Sequence, residues 1–128
     1  MKQEELIYKY GIYEQQIRQL QEQMHAVEQG IMDLEMLGSG LEELKEGQGR
    51  EILAPIGRGI FVKSKVIDEK LTVDIGGGNF VKKDIDETKQ ILNKQIEKLK
   101  NVKDELNNAM ENMSEELEKL MKEVNISD

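Results

Sequence analysis

The 128-residue chain is rich in charge and poor in aromatic side chains: 34% of its residues are charged, 38% are hydrophobic and 4% are aromatic. The sequence has no cysteine and one histidine, which excludes disulfides and thiolate metal sites and leaves little material for histidine-based catalysis. Its net charge of −8 opposes binding to nucleic acid and to anionic membranes. We therefore expect no cofactor, no metal ion and no enzymatic activity.

The charge is unevenly distributed and divides the chain into three segments. Residues 1–46 have a net charge of −6, residues 47–83 of +3 and residues 84–128 of −5. The segments match a first helix, a strand module and a second helix, which we interpret as parts of a single domain over residues 1–128. No apolar run resembles a signal peptide or approaches the roughly 20 residues of a membrane span, so we expect a cytoplasmic protein.

A heptad pattern predicts one long helix from about Lys2 to about Lys45. Its apolar residues alternate in steps of four and three, which keeps one stripe against a partner helix in a left-handed coiled coil. The members of this stripe are Leu6, Tyr10, Tyr13, Ile17, Leu20, Met24, Val27, Ile31 and Leu34.

The next heptad position after Leu34 is occupied by Gly38, which interrupts the apolar stripe. We expect the stripe to continue beyond this point in a shifted phase. The shifted stripe would contain Leu37, Leu41 and Leu44. A glycine inside a helix costs about 1 kcal/mol relative to alanine, which a kink or the close approach of another chain would explain. The glycine-rich run that begins at Gly47 then ends the helix.

The middle of the chain predicts two successive β-hairpins, because β-branched runs alternate there with glycine-rich turns. The predicted strands are residues 51–56, 60–67, 71–75 and 79–82. Four short strands bury too little apolar area to stand alone, and their open edges favour pairing with other chains into a β-barrel or paired sheets. The residues predicted to mediate this assembly are Ile52, Leu53, Ile60, Phe61, Val62, Val66, Leu71, Val73, Ile75, Phe80 and Val81.

A second heptad pattern predicts a helix that begins after Asp84, with Asp84 as its N-cap and Glu87 completing a capping box. One apolar column recurs every seven residues: Ile85, Leu92, Leu99, Leu106, Met113 and Leu120. A less regular companion column contains Ile96, Val102, Ala109, Met110, Leu117 and Val124. Two helices of similar length around a strand module predict an α+β fold in which the helices form a long antiparallel coiled-coil hairpin.

Local sequence strings resemble the α-type subunit of archaeal prefoldin, also called the GimC chaperone. In chain order the strings are Gln21–Glu28, Leu53–Gly57, Ile60–Lys63, Val73–Gly76 and Phe80–Lys83. The two predicted hairpins make the chain similar to the α-type subunit, because β-type subunits have a single hairpin. The uninterrupted run of three glycines after Ile75 departs from the family, which often has an intervening small residue there.

The resemblance implies a hexamer of two α-type and four β-type subunits, with a double β-barrel body and six coiled coils. It also implies an ATP-independent holdase that captures non-native proteins near the coiled-coil ends and passes them to a group II chaperonin. The alternative is a structural coiled-coil adaptor that tethers two partners without chaperone activity. Such an adaptor needs no barrel-forming module between its helices.

We predict that clients bind where the first helix begins and the second ends, because terminal turns of a coiled coil open easily. The candidate residues are Leu6, Ile7, Tyr8, Tyr10, Leu117, Leu120, Met121, Val124 and Ile126. Those at heptad positions also fit a purely structural core, namely Leu6, Tyr10, Leu117, Leu120 and Val124. The remaining candidates lie off the heptad columns, so helix pairing need not bury them.

Overall fold

The computed structural model describes residues 2–127 of the chain, with side chains described as far as Val124. The elements, in chain order, are α1 Gln3–Leu44, β1 Glu51–Gly57, β2 Ile60–Lys65, β3 Leu71–Asp74, β4 Phe80–Lys83 and α2 Ile85–Ser127. β1 pairs antiparallel with β2, and β3 pairs antiparallel with β4, in two separate two-stranded sheets. The predicted order of a long helix, two hairpins and a second long helix is confirmed.

The chain divides into two compact units. The helical unit contains Met1–Met32 and Glu97–Asp128, and the hairpin unit contains Asp33–Ile96. The hairpin unit therefore holds all four strands together with the adjoining turns of both helices. Within the described residues, neither helix has a stretch long and apolar enough to cross a membrane.

The heptad stripe of α1 is confirmed in the helical unit. Its members are buried or half-buried there: Leu6, Tyr10, Tyr13, Ile17, Leu20, Met24, Val27 and Ile31. The facing column of α2 is likewise buried or half-buried at Leu99, Leu106, Met113 and Leu120. Full burial of a leucine side chain stabilises a fold by about 1.5–3 kcal/mol, so these two columns hold the helix pair together.

The companion column of α2 differs from the prediction. Half-buried positions recur every seven residues at Lys89, Ile96, Lys103, Met110, Leu117 and Val124. The predicted member Val102 is 38% exposed, and its neighbour Lys103 takes the place in the column. The prediction was wrong there because it admitted only apolar residues, whereas the alkyl stem of a lysine also covers apolar surface.

The two helices approach closely at Gly30 in the helical unit. A Cβ atom at this position would lie 3.3 Å from Cδ1 of Leu99. Gly30 flanks the stripe of α1 and is half-buried. The missing side chain thus makes room for the leucine of α2.

A small apolar core fills the hairpin unit. Leu41, Ile85 and Leu92 are buried, and half-buried leucines pack against them. These are Leu34, Leu44 and Leu71. Because Leu71 is the first residue of β3, the second hairpin contributes directly to the helix-pair core.

The shifted stripe predicted after Gly38 is wrong at Leu37 and correct in burying Leu41 and Leu44. Leu41 is 7% exposed and lies seven residues after Leu34, so the original heptad continues, whereas Leu37 is 49% exposed. The helix runs without interruption to Leu44, and a Cβ atom at Gly38 would have no neighbour within 4 Å. The stripe therefore contains a gap at Gly38 and keeps its phase as far as Leu41, after which the half-buried residue is the predicted Leu44 and not the next heptad position, Lys45.

The helix boundaries have local causes. Past the end of α1, Glu46 adopts a left-handed φ of 57°, and the Gly47 N–H donates to the Leu44 carbonyl at 3.0 Å. Before α2, the Asp84 Oδ1 atom accepts a hydrogen bond from the Glu87 N–H at 2.7 Å. Asp84 is therefore the N-cap, as predicted.

Glycines close the second hairpin. All three residues of Gly76–Gly78 have positive φ angles, of 126°, 61° and 78°, a region that other residues rarely adopt. The Ile75 N–H donates to the Asn79 carbonyl at 2.8 Å, and the Gly76 N–H donates to Asp74 Oδ1 at 2.8 Å. The glycine run is thus required by the turn that contains it.

Candidate functional site

An apolar surface pocket lies in the helical unit, where α1 begins and α2 ends. Its volume is about 190 Å³, and it is lined by Ile7, Tyr10, Met121 and Val124. Tyr10 and Val124 are half-buried stripe residues, whereas Ile7 and Met121 stand at the flank with 59% and 46% exposure. The pocket brings together candidate residues from opposite ends of the chain.

The other predicted client-binding residues lie in different environments. Leu6 and Leu120 are buried, and Leu117 is half-buried, which is the core role that the sequence left open for them. Tyr8 is 72% exposed on α1. Ile126 lies outside the residues whose side chains the structure describes.

A shallow acidic groove lies on the surface of α2 and is lined by residues of that helix alone. Its lining residues are Asn107, Met110, Glu111, Ser114, Glu115 and Glu118. Glu118 precedes the pocket residue Met121 by three positions, so the two side chains are neighbours on one side of the helix. Within the described residues, none of the groove's three glutamates forms an ion pair.

Sequence reasoning missed this groove, although a signal was present. Polar residues and one methionine recur in steps of four and three beside the apolar column of α2. They are Asn107, Glu111, Ser114, Glu118 and Met121. This spacing marks a continuous flank of the helix, parallel to the stripe that faces α1.

Ion pairs join the helices in each unit. In the helical unit, Lys103 Nζ lies 3.7 Å from Glu28 Oε1. In the hairpin unit, Lys89 Nζ contacts Glu42 Oε2. Glu28 and Glu42 are fourteen positions apart on α1, and Lys89 and Lys103 are fourteen positions apart on α2.

A second pair in the hairpin unit joins Lys45 Nζ to Asp86 Oδ1 at 2.8 Å. The hydrogen bond from Lys45 lowers the pKa of Asp86, and the Asp86 carboxylate in turn raises the pKa of Lys45. The hydrogen bond from Lys89 lowers the pKa of Glu42. These charges are stabilised in the folded helix pair, although all lie at its surface.

The hairpins present a second apolar surface. The large side chains more than a third exposed on the strands and the residues beside them are Ile52, Leu53, Ile56, Ile60, Phe61, Val62, Ile75 and Phe80. The remaining predicted assembly residues are half-buried: Val66, Leu71, Val73 and Val81. Every strand also has one edge without a partner strand in the described part of the chain. Exposed apolar side chains beside unpaired edges are typical of strands that pair with other chains.

No group of three or more His, Asp or Glu side chains is placed to hold a metal ion within residues 2–127. The apolar pocket, the acidic groove and the hairpin surface are three features that the described residues offer for binding. All three suit contacts with polypeptide, since they combine apolar patches, carboxylates and open strand edges.

Comparison with known proteins shows which protein family this chain resembles. A family model described as "Prefoldin subunit" matches residues 13–126. "Prefoldin subunit alpha 1" of Thermococcus kodakarensis is 35% identical over 96 residues, covering 73% of this chain and 66% of that protein. "Prefoldin subunit alpha" of Methanococcus aeolicus is 37% identical over 95 residues, covering 72% and 63%. The chain thus spans just under two thirds of the length of these relatives.

A solved structure shows the same fold. The cryo-EM structure of filamentous PFD from Methanocaldococcus jannaschii superimposes with a TM-score of 0.78 at 25% identity, covering 89% of this chain and 96% of that one. The family match runs from the stripe of α1 through both hairpins and into the last turns of α2. With the order of its elements and the sequence of its relatives in agreement, the chain belongs to the prefoldin subunit family.

Proposed function

We propose that the chain is an α-type subunit of an ATP-independent chaperone, a holdase that binds non-native proteins where α1 begins and α2 ends. The observation that carries the proposal is the apolar pocket of Ile7, Tyr10, Met121 and Val124. Tyr8 adds a further exposed ring on the same turns of α1. Apolar surface of this kind takes up the side chains that an unfolded protein exposes.

The pocket is suited to transient and unselective contacts. Its methionine is flexible and polarisable, and such side chains adapt to partners of irregular shape. One small pocket gives weak binding, so retention of a client depends on several subunits that bind it together. Binding and release of this kind need no catalytic group, and we propose that the subunit has no enzymatic activity.

Assembly with other subunits would supply the several binding sites. The exposed apolar strand residues, among them Leu53, Phe61 and Phe80, support a body in which hairpins of several chains complete a β-barrel. We propose a hexamer of two α-type and four β-type subunits. It would act in the cytoplasm and deliver clients to a group II chaperonin.

The client-binding proposal is tested by replacing Ile7, Tyr8 and Met121 with serine in the reconstituted complex. These side chains are 59%, 72% and 46% exposed, so their loss should leave the helix pair folded. We expect suppression of client aggregation, followed by light scattering for two or more unrelated denatured proteins, to fall at least several-fold.

Three other side chains of α1 provide a matched control. Met32, Met36 and Leu37 are 55%, 67% and 49% exposed, and none of them lines the pocket. Serine at these positions should leave aggregation suppression unchanged. Equal activity of both variants, with assembly intact, would contradict the placement of the site, and an unmodified complex that protects no client would favour the adaptor.

The assembly proposal is tested by measuring mass with multi-angle light scattering, first for the chain alone and then with a β-type subunit. A defined hetero-oligomer that forms only in the mixture supports the hexamer. A large homo-oligomer of the chain alone would favour self-assembly, which the filamentous PFD structure makes a specific alternative. A monomer under both conditions would contradict assembly through the hairpins.

A further inference from the structure

The methionines of the helices differ in their access to solvent, and one of the exposed ones lies in the apolar pocket. Those at heptad positions are buried or half-buried, namely Met24, Met110 and Met113. Met32, Met36 and Met121 are exposed, and of these three Met121 alone lines the pocket. An oxidant in solution therefore has access to a thioether on which the proposed client site depends.

Hydrogen peroxide converts an exposed methionine into its sulfoxide. The sulfur lone pair attacks one peroxide oxygen, an S–O bond forms and the O–O bond breaks. The proton of the transferred hydroxyl passes to the departing hydroxide, which leaves as water, so that the sulfur loses two electrons and the peroxide gains them. Hydrogen peroxide is little larger than water, and a surface pocket of about 190 Å³ admits it.

The added oxygen changes what the pocket is able to bind. A sulfoxide oxygen accepts hydrogen bonds, and covering it with an apolar side chain that has no donor is unfavourable. Of the other lining side chains, Ile7 and Val124 have no hydrogen-bond donor and Tyr10 has a single hydroxyl. An apolar client side chain in the pocket would thus cover a polar oxygen where it now contacts a polarisable sulfur.

We propose, building on the proposed function, that Met121 is a peroxide-sensitive modification site whose oxidation weakens the binding of apolar client segments. The helix pair should remain folded, because the neighbouring stripe residue Leu120 is buried and Met121 lies off the stripe. The modification is reversible by methionine sulfoxide reductases. In that reaction two thiols are oxidised to a disulfide, the sulfoxide is reduced to the thioether, and its oxygen leaves as water.

Oxidation of the chain before assembly tests the proposal. The purified full-length chain is treated briefly with hydrogen peroxide, freed of it and assembled with an untreated β-type subunit. Peptide mapping by mass spectrometry gives the oxidised fraction of each methionine, and light scattering follows the suppression of client aggregation. We expect suppression to fall by at least about threefold, in proportion to the oxidation of Met121. Sulfoxide reductases with a dithiol should restore it.

Two variants assign the loss to one residue. Met121→Leu has an apolar side chain that peroxide does not oxidise, so its suppression should be the same before and after treatment. The double variant Met32→Leu and Met36→Leu lacks the other two exposed methionines of the described residues and should lose as much as the original chain. Each variant is compared with its own untreated sample, so a difference in basal activity does not affect the comparison.

The outcomes separate the modification from the chaperone activity. Full suppression by a chain with oxidised Met121, or an equal loss in Met121→Leu, would overturn the modification site and leave the proposed function standing. An untreated complex that protects no client would contradict the proposed function itself. If Met121→Leu fails to assemble, the time course of the original chain decides, because a loss that follows oxidation of Met32 or Met36 instead of Met121 would overturn the proposal.

Discussion

The helices and the strands of this chain treat apolar side chains in opposite ways. In the helix pair they face each other, and Leu6 and Leu92 are 1% and 7% exposed. On the hairpins they face outward, and Leu53, Phe61 and Phe80 are 68%, 55% and 62% exposed. The heptad stripes of the helices therefore bury apolar surface within the chain, whereas the strands, apart from residues such as Leu71, leave much of theirs available to other chains.

Apolar residues of the helix stripes and apolar residues of the strands have similar side chains but contribute to different contacts. Loss of a helix-stripe residue removes contacts that fold the chain, whereas loss of an exposed strand residue would remove contacts only in the proposed assembly. The pocket at Ile7 and Met121 is intermediate, because it stands beside the stripe and is only partly covered by it. Mutations can test each side of this comparison.

The largest effect is expected from charges on the exposed face of the first hairpin. Leu53 and Phe61 lie on the same face of the β1–β2 pair, since Leu53 is opposite Lys63 and Pro55 is opposite Phe61. The double variant Leu53→Asp and Phe61→Asp should lose assembly while its helical circular dichroism is retained.

Ile67→Asp is the control for this variant. Ile67 is 82% exposed but lies outside the strands, so the substitution should leave the oligomer intact. Size-exclusion chromatography with light scattering distinguishes the two results. Normal assembly of the strand variant would mean that the exposed face of this hairpin is not an interface.

A smaller loss is expected inside the helix pair. Leu92 is 7% exposed in the core of the hairpin unit, so Leu92→Ala should reduce the free energy of unfolding by about 2–5 kcal/mol. Leu37→Ala, at a position 49% exposed on α1, should change it by less than about 0.5 kcal/mol. Urea unfolding followed by circular dichroism measures both. Similar losses for the two variants would contradict the heptad phase seen in the structure.

A gain in stability is expected at the gap in the stripe. A Cβ atom at Gly38 meets no neighbour within 4 Å, so Gly38→Ala should stabilise α1 by about 1 kcal/mol. Gly30→Ala should gain less, because the added atom lies 3.3 Å from the Leu99 side chain, which must shift. Thermal unfolding of the two variants provides the comparison. Destabilisation by Gly38→Ala would show that another chain packs against this glycine.

The smallest effect concerns the ion pairs at the surface of the hairpin unit. Lys89 and Lys45 lower the pKa values of Glu42 and Asp86, respectively. Because the folded pKa lies below the unfolded one, each carboxylate stabilises the fold above the ordinary range near pH 4, and this contribution is lost as the pH falls through the folded pKa. The Lys45 pKa is raised, so its contribution persists until strongly alkaline pH.

The expected result is a small difference in Tm between the original chain and a Glu42→Gln, Asp86→Asn variant at neutral pH. The difference should shrink towards zero as the pH is lowered through the range from about 5 to 2. Circular dichroism melts across this range measure it. A Tm difference that does not depend on pH would mean that the side-chain amides disturb packing rather than remove a charge effect.

Much of the fold follows from local sequence. The stripe of α1, the Asp84 cap and the glycine turn after Ile75 each depend on residues close together in the chain, and the structure has all three. Predictions from the spacing of apolar residues were wrong where a polar residue or a glycine occupies a heptad position. Lys103 enters a heptad column through its alkyl stem, and Gly38 keeps the heptad phase without a side chain.

The candidate site was predicted only in part. Sequence spacing identified Ile7 and Met121 as apolar residues outside the helix stripe, and the structure places both in one pocket. The same spacing places Glu118 on the flank of α2 that contains Met121, but the sequence analysis missed this because it followed apolar residues alone.

Site-specific photo-crosslinking tests the central claim that clients bind at one end of the helix pair. A photoreactive phenylalanine analogue replaces either Tyr8 or Met36, which are 72% and 67% exposed and lie on the same helix. In the assembled complex with a denatured client, we predict strong crosslinking from position 8 and several-fold weaker crosslinking from position 36. Equal crosslinking from the two positions would contradict the account, because it would mean that clients contact exposed apolar residues of α1 wherever they occur.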